Sequence, residues 1–257
     1  FNIIDRFSED VDLAIVAQEC LSSSQTKNLL KKTTSVAGEG LEEDKEKSKK
    51  FSNIRRIYYN YPQVSSGNFG VVKDQLLIEV NAFAKPHPNM EIMINSYIFN
   101  FLKEIGDNET INNYNLRPFL FHVLSPEKTL VEKIAAIIKA SFQDNYINEL
   151  RTRIRHIYDI HKILQIHDIK NSIDSRKFYE FLQDVLKDDH DNPTGCKSWL
   201  NHDLKTCQIF NQPNSIWPFL STTYNNDFKD MVFGELPNED KIIDSLSHIG
   251  SILASSR

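Results

Sequence analysis

Residues 6–15 read RFSEDVDLAI and contain the pattern that decides the fold. From Asp10 to Ile15, polar or small side chains alternate with apolar ones, which is the period-two pattern of a β-strand. Side chains two positions apart on a strand point to the same face, so we expect the carboxylates of Asp10 and Asp12 side by side. Two adjacent carboxylates repel each other unless a cation lies between them.

A divalent metal ion would remove this repulsion. Mg²⁺ prefers hard oxygen ligands and usually takes one or two carboxylates together with the phosphates of a substrate. Asp10 and Asp12 would supply the protein's share of those ligands. Alternating acids also face solvent on many ordinary strands, so the pair alone leaves both interpretations open.

The composition is that of an ordinary globular protein. The 257 residues exceed the usual size of one domain, about 100–200 residues, so we expect one large or two closely packed domains. No uninterrupted apolar run approaches the roughly 20 residues that span a bilayer. Three cysteines without a CxxC pair favour a cytoplasmic location. A net charge of −5 argues against wholesale binding to nucleic acid but permits a local basic track.

Strand patterns dominate the first half of the chain. IRRIYYNYP at 54–62 and VVKDQLLIEVNAF at 71–83 flank the turn-prone SSGNFG at 65–70 and predict a hairpin. The polar residues 33–50 are expected to form a long mobile loop or an insertion. MEIMINSYIFNFL at 90–102 fits either a strand or a short helix.

Helical signals dominate from residue 125 onward. Ser125 is a good N-cap and Pro126 fits the first helical position, and a stretch with helical periodicity follows. Apolar residues at spacings of three and four predict further helices at 147–165, 175–187 and 238–253. We therefore place a domain boundary near residue 125.

Three stretches resemble the nucleotidyltransferases of the AbiEii/AbiGii toxin family. RFSEDVDLAI at 6–15 resembles the family signature R-x-S-x-D-[IV]-D-[LF], SPEKTLVEKIAAIIK at 125–139 its TL-x-EK helix, and RIRHIYDIHKIL at 153–164 its R-[DH]-x-[YF]-D-[IL] helix. The resemblance implies an α+β fold. Residues 1–124 would form a polymerase-β-like nucleotidyltransferase core with a small mixed sheet, and residues 125–257 a mainly helical domain that contributes to the nucleotide site.

The resemblance also implies roles for four residues of the core. Asp10 and Asp12 match the metal-binding pair for Mg²⁺ or Mn²⁺, and Ser8 matches a serine whose hydroxyl would face the nucleotide phosphates. Glu79, in the strand LLIEV, looks like the third carboxylate, which in this fold ligates metal or deprotonates the attacking hydroxyl. The alternative for Glu79 is an exposed strand acid.

Three further roles fall in the helical part. Lys133 matches a lysine that can neutralise charge on the triphosphate as pyrophosphate leaves. Asp159 matches the aspartate of the family's YD motif and is expected in the site. Arg155 is expected to contact nucleotide phosphates or RNA, as is Arg153, although Arg155 could instead pair with Asp159 at i,i+4.

The implied activity is transfer of a nucleoside monophosphate from an NTP to an acceptor. RNA, such as a tRNA end, is the implied acceptor, and the implied setting is a bacterial toxin–antitoxin or phage-defence pair with a cognate antitoxin. The basic stretch KEKSKKFSNIRR at 45–56 would contact that RNA or form a solvated loop.

Two other functions remain open at this point. The acceptor could be a protein or a small molecule, or the chain could be a non-catalytic module that binds nucleotide or a partner. The family's glycine-rich turn before the aspartates has no counterpart between Phe1 and Asp10, and because the chain opens in the middle of a pattern, we expect that turn upstream.

Overall fold

The computed structural model describes residues 1–8, 10–16, 21–62, 75–82, 86–173, 176–191 and 197–255, with the backbone alone at positions 176, 177, 189 and 191. The strands in these ranges are β1 (Asp10–Ala14), β2 (Glu42–Lys50), β3 (Ile54–Asn60), β4 (Gln75–Asn81), β5 (Asn89–Ile94) and β6 (Phe119–Leu124). The helices are α1 (Ser23–Ala37), α2 (Tyr97–Glu104), α3 (Asn108–Asn113), α4 (Pro126–Ser141), α5 (Tyr146–Thr152), α6 (Ile154–Leu164), α7 (His167–Ile173), α8 (Arg176–Asp191), α9 (Gln208–Asn211), α10 (Pro213–Ile216) and α11 (Glu239–Ser255).

A small mixed sheet holds the first four strands in the order β1-β4-β3-β2. β1 runs parallel to β4, while β3 is antiparallel to both β4 and β2. The predicted pairing of the 54–62 and 71–83 stretches is confirmed by β3 and β4, whereas the SSGNFG turn lies outside the described residues. β5 and β6 form a separate two-stranded antiparallel sheet.

Helix α1 covers one face of the mixed sheet. Leu30 of α1 packs in a buried cluster with Ile57, Ile78 and Val80 from β3 and β4. Because alternate residues of a strand point to opposite faces, Glu79 projects from the face that α1 leaves open. The sheet therefore has one apolar face under α1 and one face that carries its acids.

The prediction of a mobile loop at 33–50 is wrong. The first residues of that stretch complete α1, which begins with a capping box formed by Ser22 and Gln25, and Glu42–Lys50 forms the edge strand β2. β2 contains no apolar side chain, so the backbone pairing with β3 holds it in the sheet. Charged side chains suit an exposed edge strand because they discourage pairing with another chain.

The 90–102 stretch, whose sequence fits either a strand or a short helix, contains one of each. β5 ends at Ile94, and α2 begins at Tyr97 after the N-cap Ser96. The Ser96 hydroxyl accepts a hydrogen bond from the Phe99 backbone N–H at 3.1 Å, which is the interaction that starts a helix at this point.

The larger core lies among the helices that follow residue 125. α4, α6, α8 and α11 contribute most of its buried apolar side chains, and Ile3 and Ile4 pack against it from the start of the chain. Ser125 caps α4 as predicted, since its Oγ accepts a hydrogen bond from Lys128 N at 3.2 Å. The predicted helices at 175–187 and 238–253 are confirmed as α8 and α11, whereas 147–165 forms two helices that meet at Arg153.

The division of the chain near residue 125 stays a prediction. None of the helices in the described ranges combines the length and the apolar character needed to cross a membrane.

Candidate functional site

Three carboxylates lie on the open face of the sheet. In the parallel register of β1 and β4, Asp12 is opposite Glu79 and Asp10 is opposite Leu77. Because paired residues of neighbouring strands share a face, Asp10, Asp12 and Glu79 project together, and we call this group the acid face. The predicted strand with two neighbouring acids is confirmed.

Helices α4 and α6 bring two cations to the acid face. Arg155 Nη2 lies 3.4 Å from Asp10 Oδ2, and the positive charges of Lys133 and Arg155 both act on Asp12. Arg155 therefore pairs with Asp10 of β1, and the alternative i,i+4 pair with Asp159 does not form among the described residues. Lys133 and Arg155 are the predicted phosphate-binding side chains, and both lie beside the predicted metal-binding acids.

The Asp12 carboxyl has an unfavourable environment in the protein alone. Burial raises the pKa of this carboxyl, and the negative charges of Glu79 and Asp10 raise it further, while Lys133 and Arg155 offset part of the rise. The residue as a whole keeps an exposed surface, because it borders a cleft, although protein atoms surround the carboxylate closely enough to remove much of its water. A bound cation would relieve both effects.

A second group of charges is buried between the sheet and the helical core. Asp159 accepts two hydrogen bonds from Arg6, at 2.7 Å from Nε and 2.6 Å from Nη2, and its Oδ2 lies 2.7 Å from Lys133 Nζ. The Asp159 side chain is 1% exposed. We call Arg6, Lys133 and Asp159 the ion cluster.

The ion cluster keeps Asp159 ionised. Burial alone would raise the pKa of the Asp159 carboxyl, but the hydrogen bonds from Arg6 and the charge of Lys133 outweigh it and hold the pKa below its usual value. The same carboxylate also holds the ammonium group of Lys133, so the position of this group beside the acid face is fixed. Asp159 is thus buried behind Lys133, while Lys133 lies between Asp159 and Asp12.

The segment before β1 is fastened to the helical core. Arg6 forms an antiparallel bridge with Val232, Phe7 N donates a hydrogen bond to Met231 O at 2.9 Å, and Lys162 Nζ lies 2.7 Å from Asp5 Oδ2. These contacts and the ion cluster fix the position of β1 relative to α4 and α6.

Ser8 lies two positions before the start of β1, and its contact with nucleotide phosphates stays a prediction. Its hydroxyl is exposed and lies 3.4 Å from the backbone oxygen of Asp10, a long contact that leaves it able to donate elsewhere. The hydroxyl is therefore available next to the acid face.

Sequence reasoning missed the roles of Arg6 and His156. Arg6 belongs to the 6–15 signature, and its buried partner Asp159 belongs to the 153–164 motif. The opposite charges of these two residues were the feature from which an ion pair between the motifs could have been predicted. His156 gave no such signal. Burial, followed by the neighbouring charge of Lys133, lowers the pKa of its imidazole to about 3, so His156 is a neutral residue behind the site.

The donors of the acid face fit a hard divalent cation such as Mg²⁺. Among the residues that the structure describes, no three acidic, histidine or cysteine side chains have converged to hold a metal ion. Glu79 lies 2.5 Å from Arg56 Nε, and Asp10 lies beside Arg155. Such a partial set of carboxylates suits Mg²⁺, which usually completes its shell with water and substrate phosphates.

The other basic residues divide between the site and the surface. Arg153 pairs with Glu149 on α5 at 2.5 Å, away from the acid face. The 45–56 stretch forms β2 and the start of β3, where Arg56 is opposite Glu79 and Lys49 is opposite Arg56. Arg55, in contrast, is opposite Val80 and belongs to the face under α1. A row of Lys49, Arg56, Glu79 and Asp12 therefore crosses the sheet.

A cleft of about 960 Å³ opens beside the acid face. Its lining includes Asp12 and Glu79 from the sheet, residues from the first to the last turn of α4, most of strand β6, and parts of α1 and α8. Its volume is at the upper end of the range of about 300–1,000 Å³ for pockets that hold one small ligand. The cleft therefore has room for a nucleotide and for part of a second substrate.

Comparison with known proteins agrees with this geometry. A family model described as "Nucleotidyl transferase AbiEii toxin, Type IV TA system" matches residues 1–245. No curated protein and no solved structure gives a significant match. Because the matched region is nearly the whole chain, this protein belongs to the nucleotidyl transferase AbiEii toxin family of type IV toxin–antitoxin systems.

Proposed function

We propose that this protein transfers a nucleoside monophosphate from an NTP to RNA and releases pyrophosphate. Family membership supports nucleotidyl transfer by a toxin and implies a cognate antitoxin. The observation that carries the proposal is the pairing of Asp12 with Glu79 on a face that Lys133 and Arg155 approach from two helices. Acids for a metal ion and cations for a triphosphate then occupy one site.

Lys133, Arg155 and Ser8 would bind the nucleotide phosphates. Lys133 is fixed by Asp159 at 2.7 Å and can offer its remaining N–H donors to the triphosphate. Charge on the pyrophosphate grows as the bond to it breaks, so a cation held in advance stabilises the transition state. Asp10 and Asp12 would hold Mg²⁺ or Mn²⁺, which supplies charge neutralisation at the phosphate when bound.

Glu79 would act on the acceptor. It lies next to Asp12 and is held by Arg56 at 2.5 Å, so its carboxylate either completes the metal site or takes the proton of the attacking hydroxyl. Phosphoryl-type transfers need little else from the protein, because positioning and charge neutralisation supply most of the rate increase.

The row across the sheet supports a polyanionic acceptor. Lys49 and Arg56 place positive charge on the acid face at the side away from β1, although the chain as a whole carries a net charge of −5. An acidic protein can hold RNA only where local cations release its counterions. A protein or a small molecule as acceptor, or a binding module without turnover, would not need this row. The cytoplasmic location remains a prediction.

Labelled substrates test the proposal directly. The protein is incubated with Mg²⁺, each α-labelled NTP in turn, and either total cellular RNA or total cellular protein, with Asp12→Ala as the inactive control. We expect label in RNA, dependent on Asp12. Label in protein or in small molecules alone would remove RNA as the acceptor and retain nucleotidyl transfer. The absence of label with all four NTPs, from a full-length protein, would favour the non-catalytic module.

A further inference from the structure

Lys128 occupies a position in α4 where a lysine is electrostatically unfavourable. It is the third residue of the helix, where the dipole is positive and an acid would be stabilising. Its side chain is only 5% exposed, so the ammonium group has also lost most of its water. Residues that are unfavourable for the stability of their own helix or strand are often found at functional sites, where function compensates for the lost stability.

The neighbours of Lys128 offset little of this cost. Its Nζ lies 5.1 Å from the centre of the Phe181 ring and 3.7 Å from Glu132 Oε1, which is beyond normal hydrogen-bond length. Across the part of the chain that the structure describes, no acceptor lies within hydrogen-bond distance of this ammonium group. The group can therefore donate up to three hydrogen bonds to an incoming anion.

Lys128 lines the same cleft as Asp12 and Glu79. Lys128 and Lys133 are five positions apart on α4, which corresponds to about 7.5 Å along the helix axis. Lys133 acts on Asp12 and is assigned to the triphosphate, whereas the lining of the cleft includes Lys128 but not Lys133. A phosphate bound by Lys128 would thus be a different phosphate from those at the acid face.

Strand β6 adds aromatic side chains to the lining of this cleft. Phe121 and His122 both contribute to the lining and both are exposed, Phe121 by 42%, with their rings on opposite faces of the strand. Rings on which bases can stack, close to a cation that can bind phosphate, are the combination used to hold single-stranded nucleic acid. A protein partner would give no reason for a lysine kept almost out of water and without a hydrogen bond.

We propose that Lys128, with Phe121 and His122, forms a subsite for the acceptor strand, in which Lys128 binds a backbone phosphate of single-stranded RNA near the reacting end. This rests on the proposed function, because it takes RNA as the acceptor. It extends the binding surface from the acid face to the first turn of α4.

The test compares three variants of the full-length protein. Lys128→Met removes the charge but keeps an unbranched stem next to Phe181, Lys128→Arg keeps the charge, and Lys187→Met removes an exposed lysine of α8 outside the cleft lining. Fluorescence anisotropy measures binding of a short labelled single-stranded RNA over a range of salt concentrations, without NTP. Calorimetry measures binding of a non-hydrolysable NTP with Mg²⁺, and thermal melts verify that each variant is folded.

We expect Lys128→Met to weaken RNA binding on the order of threefold to tenfold at low salt, and to reduce the slope of log K against log salt by about 0.7, the value for one phosphate of a single strand. Lys128→Arg and Lys187→Met should bind RNA as the unmodified protein does. NTP affinity should stay unchanged in all three variants.

Two results would overturn the subsite. If Lys128→Met left RNA binding intact and weakened NTP binding, Lys128 would belong to the nucleotide. If a folded Lys128→Met variant changed neither affinity, the lysine would have no ligand of either kind. Both results leave nucleotidyl transfer untouched, since the labelling experiment measures it separately. Should Lys128→Met prove unfolded, Phe121→Ala is measured instead, because this position is exposed, and unchanged RNA binding by that variant would overturn the subsite.

Discussion

Asp12 and Asp159 are both aspartates next to Lys133, yet the protein treats them in opposite ways. Asp159 is buried with two cations, and its pKa is held below the usual value. Asp12 borders the cleft beside two other acids, and its pKa is raised. The ion cluster balances Asp159 with two cations of the protein itself, whereas Asp12 keeps a raised pKa although Lys133 and Arg155 are near it.

This difference suggests separate roles for the two groups. The ion cluster fixes the positions of Lys133 and of the start of β1, while the acid face is proposed to bind metal and substrate. Substitutions in the two groups should therefore fail differently, the first in stability and the second in activity.

The largest effect is expected from Asp159→Ala. It leaves Arg6 and Lys133 buried without their carboxylate, and breaking a buried ion pair from one side costs about 3–5 kcal/mol of unfolding free energy. Urea denaturation of the variant and of Asp184→Ala, which removes an exposed acid of α8, would measure this cost. Equal stability of the two variants would contradict a structural role for the ion cluster.

Asp12→Ala should show the reverse pattern. Turnover should fall below a tenth of the original value, a loss of more than about 1.4 kcal/mol in transition-state stabilisation. The free energy of unfolding should change by less than about 0.5 kcal/mol, since the substitution removes a repelled charge at a partly exposed position. Asp10→Ala should behave alike in turnover. Labelled-NTP turnover and thermal melts decide, and a variant that kept more than a tenth of its turnover would argue against metal ligation.

Lys133 belongs to the ion cluster and its charge also acts on Asp12 of the acid face, so its replacement should affect both stability and activity. Lys133→Ala should reduce kcat/KM for NTP about tenfold and also lower stability, because Asp159 keeps only Arg6. Lys187→Ala serves as the control, because Lys187 on α8 is exposed and lies outside the lining of the cleft. Lys139 of α4 lines the cleft and would not be an independent control. A similar loss of kcat/KM in Lys187→Ala would mean that the assay reports general damage.

The smallest expected effect is the response of stability to pH and Mg²⁺. The folded pKa of Asp12 is raised, so its contribution is favourable below the unfolded value of about 3.9 and is lost as pH rises through the folded pKa. Asp159 has a lowered pKa, and its contribution is lost as pH falls instead.

If Mg²⁺ binds Asp12 in its ionised form, as proposed, it should raise Tm on the order of 2 °C more at about pH 7 than at about pH 5. Asp12→Asn should remove that difference. An equal Mg²⁺ effect at both pH values would indicate that the ion binds elsewhere on the protein.

The sequence predicted the elements that carry the site because their signals are local. β1 shows strict alternation, and α4 begins with Ser125 and Pro126 in positions that helices prefer. The edge strand β2 was not predicted, because EEDKEKSKK contains no apolar residue and therefore shows no alternation. Its backbone pairing with β3 cannot be read from its composition. The division into α5 and α6 at Arg153 was not predicted, because the spacing of apolar residues shows which face is buried but not whether the helix is continuous.

The partners within the site could not be predicted in the same way. Asp10 meets Arg155 across 145 positions, and Arg6 meets Asp159 across 153. Family motifs identified most of these residues, but motif spacing along the chain does not say which charges meet in space. Arg155 shows this, because its i,i+4 neighbour was Asp159 and its partner is Asp10.

The distance of 153 positions between Arg6 and Asp159 has a consequence for synthesis of the protein. At about 5–20 residues per second, a ribosome needs on the order of ten to thirty seconds to extend the chain from one to the other. Until α6 has emerged, Lys133 and the segment before β1 have no common carboxylate, so a nascent chain can present its acids but lacks the assembled ion cluster. The ion cluster can therefore assemble only after α6 has left the ribosome, and until then nothing holds Lys133 in its fixed position beside Asp12.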